Sequence, residues 1–374
     1  MKRTAIIMAG GAGERFWPLS RRKKPKQLLK LETDKTMLEQ SIDRISPLIP
    51  IQDIYIITSE LLLSPIREAI PALPPENVIA EPSKRNTAPC LALGAAFIAA
   101  KYKGIHELKE ISVAVLTADQ SIKPVEGFII TAGTALEYVE NNYAIATIGI
   151  QPGRPDTGYG YIEVDAPFSK ESTQQIKPVI RFHEKPDVAL ASKYLEMGNF
   201  IWNSGMFFWR LDVFREEMIN HLPEVGSKID AMIEQSIGNT NVSFNSIFTP
   251  AEEIFNEFPD ISIDFGLMEK SANVVVGKAD FLWDDIGSWD SLDRIRSMDE
   301  NSNILEGKVA GFNLKNTTIL NASGNDEIIV AGIGLDNLVV VVTDDAVLVC
   351  NKDQVQDVKK CLQIIKENKG EKWL

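Results

Sequence analysis

Histidine and cysteine are scarce in this chain of 374 residues, with three of each. Cys90, Cys350 and Cys361 are scattered and show no C-x-x-C spacing. A zinc or disulfide framework is therefore not expected, and the three read as reduced thiols of a cytoplasmic protein. His106, His183 and His221 are too few for a histidine-rich metal centre. No apolar run approaches the roughly 20 residues that a membrane helix needs, so no membrane partner is expected. The opening MKRTAIIMAGG is too short in its apolar part, and too broken by glycine, to read as a secretory leader. Positive charge is also in deficit: 39 Lys and Arg against 52 Asp and Glu leave a formal net charge of −13. That balance argues against nucleic acid or an anionic membrane surface as partner. What remains is an ordinary soluble composition, 44% hydrophobic and 24% charged, long enough for two or more domains.

Against this acidic background, one stretch stands out. The apolar run TAIIM leads into AGGAG, and Arg15, Arg21, Arg22, Lys23, Lys24 and Lys26 follow. A local basic cluster in an acidic chain suggests one discrete anionic ligand, with phosphate the first candidate. The glycines do not make a dinucleotide fingerprint, because the third glycine is missing. They do not make a Walker A loop either, since no G-K-[ST] is in place. Pro18 and Pro25 rule out a regular helix across the stretch. A long loop is left, whose glycine amides and guanidinium forks suit a triphosphate. A merely solvated basic loop is the competing reading, and for Lys23 and Lys24 it is the better one.

Further along, strand-like and helix-like segments alternate: TAIIM, TMLEQSIDRI, DIYIIT, SELLLSPIREAI, ENVIAE, TAPCLALGAAFIAAKY, ISVAVLTAD, VEGFIITAGTALEYVE and YAIATIGI. Continuous β-branched runs between helices predict an α/β domain with an open, mixed but mostly parallel sheet, whose ligands bind at strand carboxyl ends. GRPDTGYGYIEVD and KPVIRFHEKP read as antiparallel excursions, followed by helices near 187–197 and 211–220, and 240–290 returns to α/β character. After about 297, short strands separated by Asn, Gly and Asp turns precede an amphipathic helix in DQVQDVKKCLQIIKEN. We divide the chain into a main α/β domain, 1–295, and a small β-rich domain with a terminal helix, 296–374.

The stretch GGAGERFWPLSRRKKPKQ resembles the signature of the sugar nucleotidyltransferases, and its WPLSR…PKQ form resembles the mannose-1-phosphate guanylyltransferase branch. The resemblance implies a Rossmann-like, GT-A-like catalytic fold. It also implies that Gly10, Gly11, Gly13, Arg15 and Lys26 bind the nucleoside triphosphate, with Arg15 and Lys26 catalytic. EPSKRNTAP, residues 81–89, lies between a strand and a helix. Asn86 or Thr87 could cap that helix and Glu81 could be a surface acid. A carboxylate there also suits guanine, whose N1–H and N2–H₂ offer two parallel donors. The segment resembles the EPxxRNTAP stretch that lies at the base in this family, which implies nucleotide-binding roles for Glu81, Arg85, Asn86 and Thr87.

Two strand-end aspartates, Asp119 in VAVLTADQSI and Asp285 in FLWDDIGSW, can converge at one sheet edge and hold Mg²⁺. Taken alone, each could equally be a turn residue. The family's A-D and D-x-G motifs imply that they are the metal ligands, with Asp284 either supporting them from behind or structural. The family commonly has histidine after the first aspartate; this chain has Gln120, which cannot titrate near neutral pH. In RFHEKP, Glu184 and Lys185 point to opposite faces of a strand unless the backbone bends. The resemblance implies that Glu184 binds sugar hydroxyls and that Lys185, also catalytic, neutralises the sugar phosphate. Asn203 in WNSGMFFWR and Gly160 in DTGYGYIE would complete that subsite, while Trp202, Phe207 and Trp209 read as core and His183 as a neighbour.

The implied reaction is GTP + α-D-mannose 1-phosphate ⇌ GDP-mannose + pyrophosphate. Two alternatives are carried: another base or sugar 1-phosphate, and a catalytically silent subunit that binds a sugar nucleotide. A dinucleotide-dependent oxidoreductase is disfavoured by the broken glycine fingerprint. The tail resembles the β-rich segment after the catalytic domain in this branch, which in related enzymes is a short left-handed β-helix used in subunit contacts. A homodimer is therefore expected. The chain reads as too short for the cupin-type isomerase domain of the long members.

Overall fold

The computed structural model describes residues 1–168, 175–237, 249–325 and 327–373. The first residues of the 240–290 stretch, up to 248, lie outside this set. Two compact units share the chain: Met1–Ala9, Ser41–Thr117 and Ile122–Leu282 make the first, and Gly10–Gln40, Ala118–Ser121 and Trp283–Leu374 the second.

The first unit is built on a ten-stranded sheet. Its strands are β1 (Lys2–Met8), β2 (Ile54–Ser59), β3 (Val78–Glu81), β4 (Ile111–Thr117), β5 (Ile145–Ile150), β6 (Tyr161–Glu163), β7 (Ile176–Pro178), β8 (Arg181–His183), β9 (Phe200–Arg210) and β10 (Val274–Lys278). The spatial order is β3-β2-β1-β4-β9-β5-β10-β7, and β6 pairs with both β9 and β8. Strands β3, β2, β1 and β4 run parallel. Strand β9 runs against β4 and β5, and β10 again runs parallel to β5. This is the mixed, mostly parallel α/β sheet that the alternation predicts. The antiparallel excursions are there as well, as β6 paired with β8.

Helix α1 (Thr87–Tyr102) is apolar around nearly its whole circumference and is buried accordingly. Asn86 caps it, its side chain accepting the Thr87 N–H at 2.9 Å. Helices α2 (Val125–Asn141) and α3 (Leu211–His221) also follow the predicted segments. The helix read from SELLLSPIREAI is shorter than its pattern, Leu63–Ala69. Pro65 has no N–H to give to a preceding turn, so it is tolerated only within the first turn of a helix that begins just before it. One continuous core joins Ile6, Tyr55, Ile57, Val113, Val115, Phe207, Trp209 and Phe214 to the apolar face of α1. No helix among the described residues is long and apolar enough to cross a membrane.

The second unit stacks short parallel strands: β11 (Ile304–Glu306), β13 (Thr318–Asn321) and β15 (Leu338–Val342) form one ladder, and β12 (Val309–Phe312) and β14 (Val330–Ile333) a second. β16 (Val347–Asn351) closes the first ladder antiparallel to β15. The turns use asparagine with positive φ at 313, 316 and 337, the residue that tolerates this region best after glycine. Asn316, Asn337 and Asn351 pass hydrogen bonds along the coils, 2.9 and 3.2 Å long. Helix α4 (Val358–Lys369) follows. The core of this unit joins Val339, Val341, Val358 and Leu362 to Phe16, Trp17, Leu29 and Met37 from the glycine-loop segment, and to Ile286 and Trp289. The loop is thus anchored by buried aromatic and aliphatic contacts to residues some 300 positions away in sequence.

Candidate active site

Gly13 is the pivot of the glycine loop. Its φ of +61° is left-handed, and a Cβ there would lie 2.3 Å from the Lys26 Cβ and 2.8 Å from the Lys26 backbone nitrogen. Only a residue without a Cβ lets the two segments close to this distance. Lys26 is buried, and its ammonium donates to Asp119 Oδ2 at 3.0 Å and to the Asp285 carbonyl at 2.5 Å. Of the two aspartates singled out in the sequence, Asp119 meets this cation with its carboxylate and Asp285 with its main-chain carbonyl. Burying an ammonium is tolerable only with such oxygen partners around it.

The turn carrying Asp285 is tightly held. Asp284 accepts the guanidinium of Arg294 and the Ile286 N–H, the latter at 2.8 Å, so it serves structure. Ile286 itself has φ +46°, an outlier for a β-branched residue. Arg15 reaches this turn with a long 3.4 Å hydrogen bond to the Gly287 carbonyl, while its buried Nε has no partner. Gln120, beside Asp119, is buried. Gly10 and Gly11 are exposed.

The six loop cations do not act as one cluster. Arg21 pairs with Asp345 at 2.8 Å and Arg22 with Glu371 at 2.6 Å, both acids of the same unit. Lys23 and Lys24 are exposed. Only Arg15 and Lys26 turn towards Asp119 and the Asp285 turn. The sequence could not separate them because the partner acids lie more than 300 residues away.

In the first unit, Glu81 ends β3 and stands close to the Cys90 thiol of α1. Burial pushes its carboxyl up to about 7, against smaller opposing effects of the Cys90 hydrogen bond and Lys84. The sign of the consequence follows from linkage: an acid with a raised folded-state pKa favours the fold below its unfolded pKa and loses that advantage as pH rises through 7. Wild-type unfolding free energy, from urea titrations, is expected to contain a component that falls by about 3 kcal/mol between pH 4.5 and pH 8. In Glu81→Gln that component should vanish; an unchanged slope would show that Glu81 is solvated.

Arg85 donates to the Asn256 carbonyl at 2.7 Å. Asn86 has φ +67° as the α1 cap, and the Thr87 hydroxyl accepts the Ile263 N–H at 2.8 Å. The capping reading of Asn86 is therefore realised. Thr87 ties the start of α1 to the segment that carries Asp264.

Gly160, Glu184, Lys185 and Asn203 come together in the same unit. A Cβ on Gly160 would lie 3.0 Å from Glu184 Oε2 and 3.8 Å from the Asn203 Cβ. Lys185 has φ +36°, the backbone bend that brings its ammonium onto the Glu184 carboxylate instead of the opposite face. Asn203 lies on β9 beside a bulge, and three hydrogen bonds orient its amide, leaving one Nδ2–H uncommitted among the described residues. Its oxygen accepts from Thr147 Oγ1 and Gly205 N, and its Nδ2 donates to Asp264 Oδ1 at 2.8 Å. His183 is held by Glu163 and Tyr194, as a neighbour.

Asp264 is the residue that the sequence reading missed. Its carboxyl is pushed up to about 6, first by burial and then by the Glu184 charge. It opens a π-helical turn, Asp264–Met268, a local geometry that recurs at functional sites. The available signal was an acid between Ile263 and Phe265 with no turn residue beside it.

Comparisons with known proteins give the family of the chain. A family model described as nucleotidyl transferase matches residues 4–302, and one for the MannoseP isomerase/GMP-like beta-helix domain matches 317–365. Mannose-1-phosphate guanylyltransferases from Klebsiella pneumoniae and Salmonella montevideo are 37% and 39% identical, each over 98% of this chain and 75% of the relative. A crystal structure described as a mannose-1-phosphate geranyltransferase from Thermus thermophilus is 30% identical with a TM-score of 0.82, covering 98% of this chain and all of that one.

Proposed function

The chain belongs to the nucleotidyl transferase family, in its mannose-1-phosphate guanylyltransferase branch, and from that membership we propose that it transfers GMP from GTP to α-D-mannose 1-phosphate, releasing pyrophosphate and forming GDP-mannose. The observation that carries this reading is the buried Lys26 ammonium shared by Asp119 and the Asp285 carbonyl, with Arg15 on the same turn.

A phosphate oxygen of the sugar phosphate attacks the α-phosphorus of GTP in line. One P–O bond forms as the bond to pyrophosphate breaks. The nucleophile is already an anion, so no general base is required, and charge neutralisation supplies most of the acceleration. Arg15 and Lys26 compensate charge on the α-phosphate and the departing pyrophosphate, while the amides of Gly10, Gly11 and Gly13 take phosphate oxygens. Lys185, released from Glu184, holds the attacking phosphate. Glu184 and Asn203 take sugar hydroxyls, and Gly160 leaves them room. In its carboxylate form Glu81 accepts from N1–H and N2–H₂ of guanine, with Arg85, Asn86 and Thr87 shaping the wall around the base.

Mg²⁺ fits the donor set. Around the Lys26 ammonium, Asp119 offers a carboxylate and Asp285 a main-chain carbonyl, and a Mg²⁺ site of this class needs one or two carboxylates beside substrate phosphates. When bound, the metal would add a Lewis-acidic charge at the phosphates. Gln120 would leave the ligands unchanged and bring no titrating imidazole. The homodimer reading is supported by Phe312 and Ile333, register partners on β12 and β14 that are 73% and 72% exposed; sedimentation equilibrium of the wild-type protein measures it. A cytoplasmic setting suits the three free cysteines.

Pyrophosphate release with Mg²⁺, across four nucleoside triphosphates and three sugar 1-phosphates, tests the whole assignment. One strong combination is expected, at GTP with mannose 1-phosphate. A strong combination elsewhere would keep the mechanism and overturn the role given to Glu81 or Glu184. No turnover from folded protein would favour a silent subunit that binds a sugar nucleotide.

A further inference from the structure

The second unit contains a cavity of about 390 Å³ between the glycine-loop segment and helix α4. Trp17, Arg21 and Arg22 line it from the loop, and Lys359, Leu362 and Lys366 from the helix. The helical residues lie at i, i+3 and i+7, so one face of α4 supplies the whole wall. Four cations and the carboxylate of Glu14 line this space; Arg21 is paired with Asp345, and Arg22 and Lys366 with Glu371, so Lys359 is the cation left uncommitted among the described residues. Arg15, Lys26, Asp119 and Asp285 are not among its lining residues.

Two observations give the ligand its chemistry. Arg22 from the loop and Lys366 from the helix both reach the carboxylate of Glu371, at 2.6 and 3.0 Å. The two walls are thus spaced so that one oxyanion bridges them. Lys359 has no ion partner among the described residues and adds an uncommitted charge. Beside these cations, the Trp17 ring and Leu362 provide an apolar surface, and the wall includes the buried Ser20 hydroxyl, which has no hydrogen-bond partner. The volume is that of a small-molecule site. A bare anion would use the cations and leave the apolar surface idle; a phosphate ester with a compact ring uses both.

We propose that this cavity is an effector site for a small organic phosphate, separate from the residues that handle the triphosphate. Occupancy acts through the loop: Arg21 and Arg22 follow Gly13 and Arg15 by only a few residues, and a ligand that draws them towards α4 changes the setting of the loop. This consequence rests on the proposed function; the binding site itself does not.

Phenyl phosphate is the probe, titrated calorimetrically into the full chain with and without saturating GTP. A dissociation constant of roughly 0.1–1 mM is expected for a ligand of this size, unchanged by GTP and at least about tenfold tighter than that of inorganic phosphate, which lacks the ring. Lys359→Glu should weaken it by about tenfold or more, since it places an anion in the wall. Lys369→Glu, an equal charge change on the same helix outside the cavity, should not. Bound probe should shift KM for GTP in the wild type and not in Lys359→Glu. Displacement by GTP, equal weakening by both helix variants, equal binding of inorganic phosphate, no heat up to 10 mM probe (about ten times the weakest expected constant), or binding without a kinetic effect would each overturn the proposal. If the enzyme turns over no substrate at all, the proposed function fails, while the calorimetry still decides the site.

Discussion

Lys26→Gln is expected to lower kcat by about 10²- to 10³-fold, the magnitude typical of removing one preorganised charge-stabilising group. Glutamine can still donate a hydrogen bond to the Asp285 carbonyl, but it carries no charge to offset that developing on the α-phosphate and pyrophosphate. The fold should survive, because Asp119 is 38% exposed in its side chain and water can solvate the oxygen that Lys26 leaves. Steady-state kinetics separate the roles: KM for mannose 1-phosphate should hardly move, since Lys185 and Glu184 belong to the other compact unit. Unchanged kcat, or a rise confined to the KM of the sugar phosphate, would remove Lys26 from the phosphate-handling role.

The second large effect is expected at Gly13, and its control is Gly11. Alanine at 13 must adopt a left-handed φ and place its Cβ inside contact distance of the Lys26 main chain. Backbone strain of this kind costs about 1–3 kcal/mol, and the displaced Lys26 should reduce turnover by about as much as its replacement does. Alanine at 11 meets nothing within 4 Å. Gly11→Ala should therefore keep the wild-type melting temperature, and any loss of turnover it causes reports the approach of a phosphate to the loop amides. Calorimetric melting curves with turnover assays on both variants distinguish these cases. Equal stability of the two variants would show that the Gly13–Lys26 contact relaxes without cost.

Much of the candidate site could be named residue by residue. Glycines after a strand, an arginine and a lysine at fixed offsets, and aspartates just past two apolar runs are chemical types in a linear order, and such types need no tertiary information to be named. The bend at Lys185 was foreseen as a condition: Glu184 and Lys185 can serve one subsite only if the strand breaks there, and the φ of +36° supplies the break. Asp264 escaped because its one local mark, an acid between two apolar residues, names no partner. Its importance comes from Asn203 and Glu184, residues 61 and 80 positions earlier in the chain.

By itself, the sequence determined the elements and their class. Helix α1 runs over Thr87–Tyr102, the whole of the segment read from its apolar, small-residue pattern, because that composition, the Asn86 cap and the Lys103–Gly104 exit are local properties of the chain. The tertiary structure decided the grouping. It packs the loop of residues 10–40 with Asp119, the Asp285 turn and the C-terminal coils, and it directs Arg21 and Arg22 to acids there while Arg15 and Lys26 stay with the aspartates. No local pattern distinguishes one arginine of such a run from the next. Their separation depends on which carboxylate each meets across about 300 residues of chain, and only the folded packing of Phe16, Trp17 and Leu29 against the coils sets those distances.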